Sequence, residues 1–233
     1  FKDSVMDSLE DHMDEYNVSI TDDEKAAITA AAAQFMEDNS KDAINALGAT
    51  QEIVEEYLTL ETIQSKMKAA IVAGADTNVT DEEAKTGAYS YVGISKTTHQ
   101  DESGNTVDYT DEEKEELAAK VADFAKAAKE DGLDAAAEDA GYTVSTGTFT
   151  QEDDSVDDNL LAALKNLKEG EVTDLIDGDS SYFVARLDKE VDEDATEETR
   201  QSIIEQRKDD LYDETLDGWK EGIELSLIHI SEP

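Results

Sequence analysis

The sequence predicts an α+β protein: a mainly helical part assembled from both ends of the chain, with a small antiparallel sheet and its helices inserted between them. Three observations carry this. Apolar residues near both ends recur at three- and four-residue steps, as on one helix face (Ile53, Tyr57, Leu60, Met67 and Ile71 on one side, Ile204, Leu211, Leu216 and Trp219 on the other). Three runs in the middle, 89–95, 142–149 and 181–187, are rich in aromatic and β-branched residues, as strands are. A single C-terminal helix cannot bury its apolar stripe alone, so the N-terminal helical group is its expected partner.

In chain order, residues 1–16 read as one helix, 22–37 as a second and 40–47 as a short third ending near Gly48. A long fourth covers 50–73 and ends at Gly74. Three helix starts share one signal: Thr21-Asp-Asp-Glu24, Thr80-Asp-Glu-Glu83 and Thr110-Asp-Glu-Glu113. In such a capping box the Thr hydroxyl accepts from an N–H three residues on, and the Glu returns to the Thr N–H. After the strand at 89–95, the polar stretch 99–109 with Gly104-Asn105 reads as a loop with a turn. Helices follow at 111–130 and 132–139, a strand at 142–149, and a helix at 156–167 with Leu160, Leu161 and Leu164 inward. Residues 171–176 are short and extended, Asp177-Gly178-Asp179 is a turn, 181–187 the last strand and 195–223 the closing helix. The predicted domains are 1–80 (N-terminal helical part), 81–191 (α+β unit), 192–224 (a C-terminal helix packing back on the first part) and 225–233. That last stretch, from Leu225 to Pro233, breaks from the acidic helix before it and resembles a translated sequencing adapter, which predicts a non-native tail and takes His229 and Pro233 out of the protein.

Composition narrows the function. Of 233 residues, 60 are acidic and 19 basic, a formal net charge of −41. Nucleic-acid binding and docking on an anionic membrane both need clustered Lys and Arg, and this balance excludes them. The absence of cysteine excludes disulfides, thiolate zinc sites and a cysteine nucleophile. With three histidines, His-based metal or triad chemistry has little to draw on. Such a charge with low mean hydropathy is also a signature of disorder, but 38% of residues are apolar and periodic, so the chain reads as folded with a solvated acidic exterior. The stretch 101–112 partly imitates a calcium loop, but its Gly is misplaced and its central apolar residue missing, so it reads as a connecting turn. Paired acids such as Glu55-Glu56 and Asp153-Asp154 have no apolar cleft to raise a pKa. No phosphate loop or zinc-protease motif occurs, and neither a metal nor a cofactor is implied.

The order of elements resembles the extracytoplasmic parvulin-type foldases, the PrsA and SurA group, from about residue 20 to residue 222. Tyr89-Ser-Tyr-Val-Gly-Ile-Ser95 sits where parvulins have a strand of the type Ala-Ser-His-Ile-Leu-Val. Phe124-Ala125 with 135–141 resembles the helical segment that follows, and Gly147-Thr-Phe149 the family's "GwF" ending. Leu167-Lys-Glu-Gly-Glu-Val172 resembles "l..GevS", and Ser181-Tyr-Phe-Val-Ala-Arg-Leu187 the closing strand "GyHiikv". Against this background the two histidines that parvulins carry on adjacent strands fall here at Tyr91 and Phe183, and the family's further polar or thiol position has no counterpart. His99 does not substitute in place, since it lies eight residues beyond Tyr91, up to roughly 26 Å along an extended strand.

The resemblance implies a folding factor that binds unfolded or extended client chains, basic and proline-containing ones in particular, outside the cytoplasm, with a lipid anchor upstream of Phe1 as its only route to a membrane. Prolyl isomerisation needs no nucleophile. Its barrier of about 20 kcal/mol comes from amide resonance and falls when a site grips the ring and favours the twisted amide. Tyr91, with its hydroxyl, and Phe149, Leu161 and Phe183 as lining are the expected substrate-binding residues, and no catalytic residue is assigned. Without the histidines, isomerase activity is expected to be weak or lost, leaving a binding module or holdase. An acidic calcium-binding surface protein is the alternative from another class.

Overall fold

The computed structural model describes residues 4–101 and 103–230. Its chain divides into two compact units, one made of the residues up to Asn78 with those from Ile204 onward, the other of Val79–Ile203.

The first unit is helical. Helices α1 (Ser4–Asp11), α2 (Asp22–Asp38), α3 (Lys41–Leu47) and α4 (Gln51–Val72) are joined by short turns, and the later part of α9 (Glu193–Ile230) completes the unit. α1 is shorter than the sequence predicts; turns follow it, and Asn17 takes a left-handed φ of 55°. The core joins Leu9, Val18, Ile63, Met67 and Ile71 to Tyr212 and Leu216 of α9. Of the three- and four-residue steps seen in the sequence, Met67 and Ile71 of α4 and Leu216 of α9 lie in this core with Leu211 and Trp219 packed against it, whereas Tyr57 is exposed. Trp219 stacks on His12 with ring centroids 4.0 Å apart and meets the edge of Tyr16. Thr21 and Glu24 form the predicted capping box of α2. Lys66 reaches the same Glu24 from α4 at 2.7 Å. That ammonium, and then the Thr21 N–H, lower the Glu24 carboxyl from its usual value to about 2. The backbone of α9 continues through 225–230, and residues 231–233 of the predicted foreign tail lie outside the described residues.

The second unit is built on a four-stranded antiparallel sheet of order β4-β1-β6-β5. β1 (Gly87–Ser95) lies between β4 (Ser145–Phe149) and β6 (Ser181–Lys189), and β5 (Ile176–Asp177) borders β6. A four-residue helix, α5 (Asp81–Ala84), leads into β1. Side chains alternate across a strand, so the two faces have separate cores. One face packs on α6 (Asp111–Asp131) and α7 (Leu133–Ala140): Val92 and Val184 meet Phe124, Ala125, Ala128, Leu133, Ala136 and Ala137. The other packs on α8 (Asp158–Leu164): Tyr89, Phe149, Ala185 and Leu187 meet Leu160, Leu161 and Leu164.

The boundaries differ from expectation at a few places, each for a local reason. The stretch predicted as a polar loop holds a hairpin of β2 (Thr98–Gln100) and β3 (Thr106–Asp108), with His99 opposite Val107. Asp101 closes its turn by accepting from the N–H groups of Ser103 and Asn105, and Gly104 supplies a φ of 80°. β4 begins only at Ser145; Tyr142 and Val144 before it pack in the helical layer, Tyr142 in a T-shaped contact with Phe124. The extended segment 171–176 contributes one bridge, Val172 to Arg186, and the first residue of two-residue β5.

Candidate functional site

β1 and β6 are neighbours, with Tyr91 opposite Ala185 and Gly93 opposite Phe183. Tyr91 and Phe183 both point to the α8 side, and their ring centroids are 6.2 Å apart at an angle of 59°. The sheet thus brings together the two positions where the resemblance places histidines. Gly93 makes room for the contact: a Cβ there would lie 3.2 Å from Cε1 of Phe183. Gly178 does the same on the other side, where a Cβ would meet Phe183 Cε2 at 2.6 Å and Asp157 Oδ2 at 2.5 Å.

Of the four residues expected to bind substrate, two are half-buried and two are closed into the core. Tyr91 and Phe183 keep part of their rings in solvent. Phe149 is 6% exposed and Leu161 7%. They support the ring pair from beneath rather than surfacing it. Phe149 also borders a small cavity of about 130 Å³ with Gly87, Leu164 and Leu187, rimmed by the Lys85–Glu190 ion pair.

The rim of the ring pair is acidic. Asp157 caps α8 by accepting from the N–H groups of Asn159 and Leu160, and its second oxygen accepts from the Asp179 N–H at 2.8 Å. Burial raises this carboxyl, but those three hydrogen bonds and the charge of Lys96 outweigh it and hold the group below its ordinary value. Lys96 bonds Asp177 at 2.6 Å and the Gly178 carbonyl, tying the end of β1 to the turn before β6. His99 stands on the hairpin, stacked on Tyr109 at 4.5 Å with its Nε2 3.6 Å from Glu113.

One residue of this face escapes the reading of the sequence. Tyr89, two positions before Tyr91 and therefore on the same side of β1, packs against both Tyr91 (5.4 Å between centroids) and Phe149 (5.9 Å). The signal was present as the alternation Tyr89-x-Tyr91-x-Gly93, which puts all three on one face.

Chemically, the pair is a partly open aromatic surface on a rigid sheet, with carboxylates at its edge. It can hold an apolar ring by contact, and the Tyr91 hydroxyl can hydrogen-bond. Among the described residues, no group of three or more His, Cys, Asp or Glu is placed to hold a metal ion.

Residues 96–201 match the family model of the PPIC-type PPIASE domain. The match includes Phe183 and begins just after β1, so Tyr89 and Tyr91 lie outside it. No curated protein matches the chain. Among solved structures, the chain is similar to the peptidylprolyl isomerase PrsA of Bacillus anthracis at 18% identity, over 94% of each chain, with a TM-score of 0.37. It is similar to the foldase protein PrsA of Streptococcus pneumoniae at 21% identity, over 88% of this chain and 75% of that one, with a TM-score of 0.33. A structure from work on two SurA-like chaperones of Campylobacter jejuni, PEB4 and Cj1289, is similar at 11% identity, over 93% of this chain and 82% of that one, with a TM-score of 0.33.

Proposed function

We propose, from the match of residues 96–201 to the PPIC-type PPIase model, an extracytoplasmic folding factor that binds extended, proline-containing segments of unfolded client chains over the Tyr91–Phe183 face, with at most weak isomerase activity. The observation that carries this reading is the ring pair itself. It lies on adjacent strands, half open, at the two positions where the resemblance places the family's histidines. A proline ring laid on it gains apolar contact, and Phe149 and Leu161 beneath keep the surface from yielding. Holding the ring while the preceding carbonyl turns is the whole of the catalytic demand, since no bond to the protein forms and no proton leaves the peptide. The rings supply grip, but no imidazole lies between them to assist the rotation.

The helical first unit serves as a second client-binding surface, and the acidic exterior steers basic clients toward the chain. The extracytoplasmic compartment follows from the family resemblance. No helix among the described residues is long and apolar enough to cross a membrane.

A refolding assay limited by proline isomerisation tests this, with wild type set beside Phe183→Ala and Tyr91→Phe. Slight acceleration that Phe183→Ala abolishes supports isomerase activity at the ring pair. A second reading is favoured by the lack of a histidine in that pair: a holdase on a silent isomerase scaffold. It predicts no change in the slow phase but suppression of client aggregation at stoichiometric amounts. Failure in both assays would sink the folding-factor reading.

A further inference from the structure

Tyr89 combines a buried ring with an open hydroxyl. Its side chain is 6% exposed, yet none of the described residues hydrogen-bonds its hydroxyl. The oxygen is not sealed in, because the only buried side-chain polar atom without a partner among the described residues is the Tyr212 hydroxyl. The ring is thus buried while the hydroxyl is left to solvent, where a ligand that replaces water can accept from it. The fold makes room for it. At Gly147 on β4, opposite Tyr89, a Cβ would come within 2.9 Å of the Tyr89 oxygen and 2.8 Å of Cζ, so any larger residue would push the phenol away. Burial first, then Tyr91 and Asp153, raise the phenol above its ordinary pKa, which keeps it protonated and a donor.

We infer that Tyr89 is a client-binding residue: its phenolic hydroxyl donates a hydrogen bond to a backbone carbonyl of the extended segment that lies over Tyr91 and Phe183. The inference rests on the client-binding reading of that face. The chemistry of the ligand follows from the donor. A proline residue has no N–H, so a proline-containing segment offers carbonyls in excess of donors. A nearby Asp153 disfavours an anionic acceptor, which leaves the neutral peptide carbonyl.

The test measures affinity for an extended proline-containing peptide by titration calorimetry, and thermal stability by circular dichroism, in wild type, Tyr89→Phe and Phe183→Ala. Tyr89→Phe keeps the ring and removes only the hydroxyl. The expected result is a loss of affinity of roughly tenfold, the worth of one hydrogen bond, with an unchanged melting temperature. Unchanged affinity in Tyr89→Phe, or a lowered melting temperature that reveals an internal partner, overturns the inference. If wild type binds the peptide and Phe183→Ala weakens it while Tyr89→Phe does not, the role of Tyr89 fails and the binding face stands. If wild type does not bind the peptide at all, the reading of the face fails and this inference falls with it.

Discussion

The two faces of the sheet are made from the same strands, yet one is closed and the other partly open. On the α6–α7 side, Val92 and Val184 are each 1% exposed under two helices rich in alanine, whose small side chains allow close approach. The edge of that side is fastened by polar groups: Arg186 reaches Asp134 of α7 and Asp188 at 2.7 Å, and Ser90 donates to Asp188. On the α8 side the cover is a seven-residue helix, too short to roof a nine-residue strand. Aromatic residues fill that side, and the two beyond the reach of the helix, Tyr91 and Phe183, remain half in solvent. One face is spent on stability, and the accessible apolar surface of the other is what remains for a ligand.

The largest test of this contrast is truncation on the closed side. Phe124→Ala removes a ring that is 4% exposed between α6 and the sheet, and should cost about 3–5 kcal/mol in chemical denaturation. Gly147→Ala comes next, because its new methyl meets the Tyr89 ring at 2.8 Å and must displace it, costing about 1–3 kcal/mol. Phe183→Ala should cost less than Phe124→Ala, about 1–2 kcal/mol, because part of the ring is already in water. Denaturation midpoints measured side by side check the order. If Phe183→Ala destabilised as much as Phe124→Ala, the open face would be as structural as the closed one and the contrast would break.

The closed face was more legible in the sequence than the open one. Leu117, Val121, Phe124 and Ala128 announce a buried helix stripe through their spacing, and Thr110 with Glu113 marks where that helix starts. Both signals are local, so they survive without tertiary context. The open face depends on register. Tyr91 and Phe183 are 92 positions apart, and only the pairing of β1 with β6 shows that they touch. Phe149 and Leu161 read as lining because they are apolar and close to the family motifs, while their closure into the core depends on how α8 settles on the sheet. The β2–β3 hairpin stayed illegible because β3 is exposed along its whole length, which leaves no apolar alternation to read.

The smallest effect concerns the junction where the open face is held in place. Asp157 uses one oxygen for the first N–H groups of α8 and the other for Asp179, beside the Phe183 ring. Asp157→Asn keeps one acceptor but turns an amide N–H₂ toward a neighbouring donor, which should cost about 0.5–2 kcal/mol at neutral pH, the range of a helix cap. The carboxyl is held below its ordinary value in the folded chain, so its contribution is fully present above the unfolded value of about 3.9 and fades as pH falls below it. Wild type and Asp157→Asn should therefore differ in denaturation midpoint at pH 7 and converge as the solution is acidified past pH 4. A difference that persisted undiminished at low pH would show that the charge of Asp157 is not what holds α8 against the open face.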